Sequence, residues 1–341
     1  MRSRQIALDE VRGLAVLLVF LSHAANDGFL PSVLGQGAGQ MGVLLFFMLS
    51  GYLMARIYGN QRFDSEAIRR FLIARVARIV PIYWVVLGVS AFGGYLGLAV
   101  HYDMSDMRVL VAAALMIHAP QELWSIPVEV QFYVVFLALW PWIFRVRLTM
   151  IRVAVAGCAV VGLSAATYAL FDDTLILLTC ALPFLIGLLC ARIPSDVLAR
   201  LGGLGVVAVL FLCLNMPGIR IGLDLEIWSG FYPRLWLDPF RYMAATLCLV
   251  TAIGCHGRWF AGQPLVYLGR ISFGFYLLHR PVLRGLENMD LVGWPPEVVA
   301  LVSFALSGAL AAASFRWIEQ PATRLLTQQR KQPRAPQPSA G

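Results

Sequence analysis

The stretch LDEVRGLAVLLVFLSHAA, residues 8–25, is long and apolar enough to cross a bilayer as a helix, yet it carries Arg12 near its start and His23 near its end. The two are eleven positions apart. At about 100° per residue that is three turns plus roughly 20°, so both side chains belong to one helix face. Along the axis they are separated by about 16 Å, roughly half the hydrocarbon thickness. An ionisable group inside a spanning helix is costly and normally faces a bundle interior, a water-filled cavity or a partner. Two readings stand side by side. Either Arg12 and His23 line a functional face, or Arg12 snorkels to one interface and His23 sits at the other. A cleaved leader is a third reading, because Arg2 and Arg4 precede an apolar run ending in Ser22-His23-Ala24. Asp9, Glu10 and Arg12 interrupt that run, and the rest of the chain is equally apolar, so a retained helix is expected.

Working outward from this helix, the composition fits a membrane protein throughout. Of 341 residues, 59% are hydrophobic and 13% charged, and the mean hydropathy is +0.73. Soluble domains carry about a quarter charged residues. The apolar runs are too long and continuous for barrel strands, which predicts an all-α polytopic bundle. The formal charge of +8 lies in loops, a pattern that sets membrane orientation and gives no indication of nucleic acid. The six cysteines, Cys158, Cys180, Cys190, Cys213, Cys248 and Cys255, lie in or at the ends of apolar segments without a CxxC pair. They read as packing residues, and no metal site is expected.

The apolar runs predict about ten transmembrane helices, near 8–25, 41–58, 79–100, 126–144, 152–171, 174–191, 201–216, 239–255, 265–286 and 297–318. Residues 109–118 are apolar but too short to cross and are expected at an interface. Basic loops (Arg56 to Arg78; Arg145, Arg147 and Arg152; Arg192 and Arg200; Arg258; Arg324 to Arg334) alternate with acidic or mixed ones (Asp103 and Asp106; Asp172 and Asp173; Asp224 to Asp238; Glu287 and Asp290). By the positive-inside rule both termini are then expected in the cytoplasm. Residues 1–326 read as one integral-membrane domain and 327–341 as a disordered polar tail.

This orientation gives the polar residues a depth. Arg12 falls on the cytoplasmic side, and His23, Glu129 and His279 fall in the outer half. A histidine is a suitable general base for a hydroxyl, and a carboxylate can orient it. Structural readings remain open: Pro127 places Glu129 near a helix start, where a carboxylate is favourable anyway, and His279 can bond a neighbouring helix. Arg280, about 100° from His279, reads as a snorkelling side chain. On the inner side Arg69, Arg70, Arg75 and Arg78 precede Pro81 and Tyr83. Arg75 and Arg78 border the span and suit phosphate, which guanidinium binds bidentately. Ser50 and Gly51 would let a backbone or a ligand approach closely, and helix packing explains them equally well. Trp228, Tyr232 and Trp236 suit either sugar stacking or an interfacial aromatic belt.

Six segments, in order over about residues 5–325, resemble acyltransferase family 3, the integral-membrane acyltransferases that O-acylate bacterial surface glycans and some secondary metabolites. Arg12 and His23 with ten residues between them resemble its signature. FFMLSG (46–51), RVARIVPIYW (75–84), LWSIPVEVQFY (123–133), ISFGFYLLHRPVL (271–283) and Glu319-Gln320-Pro321 are similar to its later motifs. The chain departs from the pattern at Val130, where a second acid is common, and at Leu278 and Arg280, which flank His279. Many family members carry an extracellular esterase-like domain after the last span, without which the membrane domain completes transfer alone or hands over to a partner.

The resemblance implies O-acyl transfer at a bacterial inner membrane. The expected donor is acyl-CoA, acetyl-CoA first, used as a substrate with no permanently bound cofactor. The expected acceptor is a carbohydrate or lipid-linked glycan of a surface or exported polysaccharide. His23, Arg12, Glu129 and His279 become the expected catalytic residues, and Arg75, Arg78, Ser50 and Tyr83 the donor-binding ones. The alternatives are a transporter or flippase of a lipid-linked glycan, with the same charges lining a path, and an acyltransferase of a small metabolite such as a macrolide. Self-association and a glycan-assembly partner are both compatible with the sequence.

Overall fold

The structure, a computed structural model, describes residues 2–143, 180–224, 238–255, 262–289 and 293–328, with positions 145, 159, 162 and 259. Among these residues the protein is all helical. In chain order the helices are α1 (Arg2–Asn26), α2 (Gly39–Tyr58), α3 (Ser65–Tyr95), α4 (Met107–Ala114), α5 (Ser125–Leu139), α6 (Ala181–Cys190) and α7 (Ser195–Leu201). They continue with α8 (Gly205–Leu214), α9 (Pro217–Gly222), α10 (Pro239–Gly254), α11 (Gln263–Arg270), α12 (Ser272–Glu287), α13 (Pro296–Ser314) and α14 (Gln320–Gln328). Among the described residues five runs are long and apolar enough to cross a membrane: Ser32–Tyr58, Ser65–Tyr95, Gln121–Leu139, Ser195–Leu214 and Pro296–Thr327. That is fewer than the ten expected. The expected span at 152–171 apart from positions 159 and 162, the first six residues of 174–191, and the aromatic loop with Trp228, Tyr232 and Trp236 lie outside the described residues. Helix α1 falls outside the five because Asp9, Glu10 and Arg12 crowd its start, and α6 and α10 are apolar but short.

Local chemistry sets the helix starts. Asp64 caps α3 by accepting the Ala67 N–H at 2.9 Å, and Asp238 caps α10 through Phe240 N–H, also at 2.9 Å, with Pro239 in the first turn. The segment expected at an interface forms the short helix α4. It leans on α3, where Tyr83 Oη and Trp84 Nε1 donate to the Ala113 and Ala114 carbonyls at 3.2 Å each.

Helix α1 is the hub of the bundle. It packs against α2, α10, α11 and α12, while α2 packs closely on α6 and α12 on α13. Glycines permit the nearest crossings. A Cβ at Gly51 would run into the Phe184 carbonyl, and one at Gly187 into the Met48 carbonyl. These contacts are backbone against backbone, which a side-chain rotation cannot relieve. Gly187→Ala is therefore expected to destabilise the protein by about 1–3 kcal/mol, read as a lower melting midpoint in detergent. Gly285→Ala, with nothing within 4 Å of its added carbon, serves as the neutral control.

One buried carboxylate also belongs to the frame. Glu10 is fully buried and accepts the backbone N–H groups of Trp259 at 2.7 Å and Gly262 at 2.9 Å. The Trp259 indole N–H donates to Thr251 Oγ1 at 2.9 Å, tying the same segment to α10. Paired with two donors, the acid avoids the large cost of an unsatisfied buried charge. It fastens the start of α1 to the chain that leads into α11.

Candidate active site

The Arg12 end of α1 opens onto two clefts. The wider, of about 470 Å³, is lined by Asp9, Arg12, Arg78, Arg270, Glu319 and Arg324 among others. The narrower, of about 50 Å³, is lined by Arg12, Ser50, Arg75, Arg78, Ser125, Glu129 and Tyr276 with apolar residues of α2. Arg12, Arg78, Ser272 and Phe273 border both, so the clefts adjoin. Arg12 is held by Asp9 at 2.7 Å, and Asp9 also lies 3.6 Å from Arg270. Glu319 sits on a π-helical turn (Phe315–Glu319), an irregularity often found at functional sites, and accepts from Ser314 Oγ at 3.0 Å.

Arg75 is buried yet, among the described residues, forms no ion pair. Its guanidinium lies 5.7, 5.8 and 6.0 Å from the ring centroids of Tyr133, Phe71 and Tyr58, and its Nε is buried without a hydrogen bond. Among the described residues neither Arg75 nor Arg78 has an Asp or Glu oxygen within ion-pair distance. Aromatic faces stabilise a cation and fix its position while leaving its donors free. A guanidinium so placed is suited to receive an anion.

The sequence reading placed Glu129 with His23 and His279. In the structure it lies in the narrow cleft, where Ser50 Oγ and Tyr133 Oη donate to its Oε1 at 2.7 and 2.8 Å. Helix α5 begins at Ser125, so Glu129 is a full turn inside it and belongs with the arginines. Ser50 thus holds Glu129 from α2 while lining the cleft. Tyr83 lines neither cleft; it is fully buried and bonded to α4.

At the other end of α1, His23 meets a carboxylate the sequence reading did not single out. Its Nδ1 is 3.9 Å from Glu122 Oε1. Glu122 stands on the 3-10 turn Gln121–Trp124 just before α5. Its Oε2 is 2.7 Å from His101 Nε2, and its Oε1 accepts from Arg280 Nε at 2.9 Å. A second nitrogen of Arg280 pairs with Asp27. Arg280 therefore does not snorkel: it is buried between two acids. It does point away from His279, as the helix geometry predicts, but toward Asp27 and Glu122 instead of lipid.

His279 is fully buried, with its ring centroid 5.3 Å from that of His23. Its Nδ1 lies 2.7 Å from the Tyr276 carbonyl and 3.2 Å from that of Phe275. Carbonyls only accept, so Nδ1 carries the proton and Nε2 is left a buried acceptor without a partner. Between the narrow cleft and the histidines stand two hydroxyls. Ser125 Oγ donates to Tyr276 Oη at 2.9 Å, and Tyr276 Oη donates to the Glu122 carbonyl at 2.7 Å. Arginine cleft, hydroxyl pair and histidine–carboxylate cluster thus follow one another along α1.

The sequence over residues 5–314 matches the family model of the acyltransferase domain, third acyltransferase family. The chain belongs to acyltransferase family 3. Among curated relatives it is 26% identical over 370 residues to the putative peptidoglycan O-acetyltransferase YrhL of Bacillus subtilis, covering 92% of this chain and 54% of that protein. It is 24% identical over 366 residues to the peptidoglycan O-acetyltransferase OatA of Listeria monocytogenes, covering 92% and 55%. To the O-acetyltransferase OatA of Staphylococcus aureus it is 23% identical over 355 residues, covering 92% and 56%. The chain spans about half the length of these relatives. No solved structure matches it. As a member of acyltransferase family 3 the chain brings Arg12, His23, Ser50, Arg75, Arg78 and His279 to a single axis through the bundle, whereas Tyr83 stands off it and Glu129 keeps to the arginine side.

Proposed function

We propose that this acyltransferase moves an acyl group, acetyl first, from cytoplasmic acyl-CoA to a hydroxyl of a cell-surface glycan. In this reading the chain crosses the bacterial inner membrane about ten times with both termini cytoplasmic, so the Arg12 end faces inward and the His23 end outward. The observation that carries it is Arg75: a buried guanidinium, framed by aromatic rings and, among the described residues, in no ion pair, bordering a cleft in which Arg12, Arg75 and Arg78 outnumber the carboxylate of Glu129. That arrangement calls for an anionic ligand, and the phosphates of coenzyme A supply one. The wider cleft suits a bulky head and the narrow one a slim arm that carries the thioester toward Ser125 and Tyr276. The names of the curated relatives support a glycan acceptor.

His23 acts as the base. It takes the proton of the acceptor hydroxyl as the oxygen attacks the thioester carbonyl. The C–O bond forms, the C–S bond breaks, and the proton passes to the departing thiolate. If His23 instead carries the acyl group between two transfers, a covalent acyl-histidine accumulates when acceptor is withheld. The test is purified protein in liposomes with labelled acetyl-CoA and a soluble chito-oligosaccharide as acceptor. Label on the sugar, or on the protein when sugar is absent, is the expected result. Movement of a glycan across the bilayer without any acyl chemistry would establish the transporter reading in its place.

A further inference from the structure

Two partly buried carboxylates and one buried guanidinium lie beside His23, an arrangement that Arg12, His23 and the donor cleft leave unexplained. Asp27 follows the last turn of α1, Glu122 sits on the 3-10 turn before α5, and Arg280 projects from α12. Three separate elements meet at one point, and Arg280 bridges both acids. Isolated buried charges are costly, and such a triad persists only when its members satisfy one another. Among the described residues the two acids share one guanidinium in ion pairs, the imidazoles of His23 and His101 face Glu122, and exposed Arg284, paired with Glu287, acts on both acids only from a distance.

We propose that Glu122 is the positioning carboxylate for His23, and that Arg280 and Asp27 hold it in place. The assignment rests on the acyl-transfer reading above. Glu122 has spare lone pairs, because Arg280 takes one position on Oε1 and His101 one on Oε2. Its Oε1 stands 3.9 Å from His23 Nδ1, a distance that closes to a hydrogen bond in a reacting complex with a small side-chain rotation. A proton on Nδ1 directed at Glu122 leaves Nε2 as the free lone pair that accepts the hydroxyl proton. When His23 takes that proton, the imidazolium is matched by the one carboxylate charge that Arg280 does not neutralise. Asp27 acts one step further out, by fixing Arg280. Glu129, the carboxylate that the helix geometry of the sequence suggested for this role, is bonded to Ser50 and Tyr133 instead.

The test compares wild type with Glu122→Gln and Glu122→Asp in liposomes, using labelled acetyl-CoA and chito-oligosaccharide. Glu122→Gln keeps the side-chain volume and an acceptor oxygen but removes the charge. Its kcat is expected to fall at least 100-fold, with the KM for acetyl-CoA within about threefold of wild type. Glu122→Asp is expected to recover at least tenfold of that loss, because it restores the charge. Arg280→Lys, which keeps one cation but not the forked contact, is expected to lower kcat about tenfold. If Glu122→Gln fails to fold, the Glu122→Asp and Arg280→Lys values decide. A kcat within twofold of wild type in the folded variants overturns the assignment. So does a loss confined to the acetyl-CoA KM, or a loss that Asp does not relieve. Absence of acyl transfer in the wild-type protein would instead remove the reading on which the assignment rests, so the two failures are distinguishable.

Discussion

Replacing His23 with alanine is expected to lower acyl transfer by about 10²–10⁴-fold, the usual range for loss of a general base. Acetyl-CoA binding should change little, because the cleft proposed for the donor, bordered by Arg12, Arg75 and Arg78, lies at the other end of α1. The measurement is kcat in liposomes beside the dissociation constant for acetyl-CoA. His23 is only partly buried, with 24% of its side chain exposed, so alanine leaves a small space at the edge of the cluster and the bundle should survive. Retention of more than a tenth of wild-type turnover by folded His23→Ala would exclude the histidine as base and as acyl carrier.

The second large effect concerns the donor. Arg75→Ala removes the guanidinium framed by Tyr58, Phe71 and Tyr133. A hydrogen bond to a charged group contributes about 1.5–3 kcal/mol, and every 1.4 kcal/mol is a factor of about ten. The KM for acetyl-CoA is therefore expected to rise roughly 10- to 100-fold. Arg75→Lys should recover the loss only in part, since an ammonium keeps the charge but loses the planar fork. Titration with the dephospho form of acetyl-CoA separates the contributions: if Arg75 meets the phosphate that this donor lacks, it should show no further loss in the variant. An unchanged KM in folded Arg75→Ala would move the anion site elsewhere.

What the sequence disclosed follows the range over which each rule operates. Helical periodicity is local, so the shared face of Arg12 and His23 and the apolar bundle were readable from consecutive residues. Arg75 and Arg78 were also readable, because they stand where a basic loop becomes an apolar span. Glu129 was misplaced for a definite reason. Axial rise gives a height within a helix, but the neighbour is decided by the direction in which the helix start turns that side chain. Glu122, His101 and Asp27 carried no local signal at all. They lie in connecting segments, and Arg280 is 158 residues from Glu122 and 253 from Asp27; only tertiary packing brings them together. The small residues at 50 and 51 announced a close approach, yet the partner, α6 with Gly187, comes from a distant part of the chain. Arg12, His23, Ser50, Arg75, Arg78 and His279 lie along the axis from the arginine cleft to the histidines, Glu129 lies in the arginine cleft, and Tyr83, which follows the arginines in sequence, lines neither cleft.

The clamp made by Glu10 has a consequence for how the molecule is made. The acid belongs to α1, but the Trp259 and Gly262 N–H groups that it accepts lie 249 and 252 residues further on. At synthesis rates of about 5–20 residues per second, roughly 12–50 seconds separate the emergence of the acid from that of its partners. Throughout that interval α1 waits for these two backbone donors. Its final seat is completed only when the segment leading into α11 arrives, so α1 is locked long after it is made.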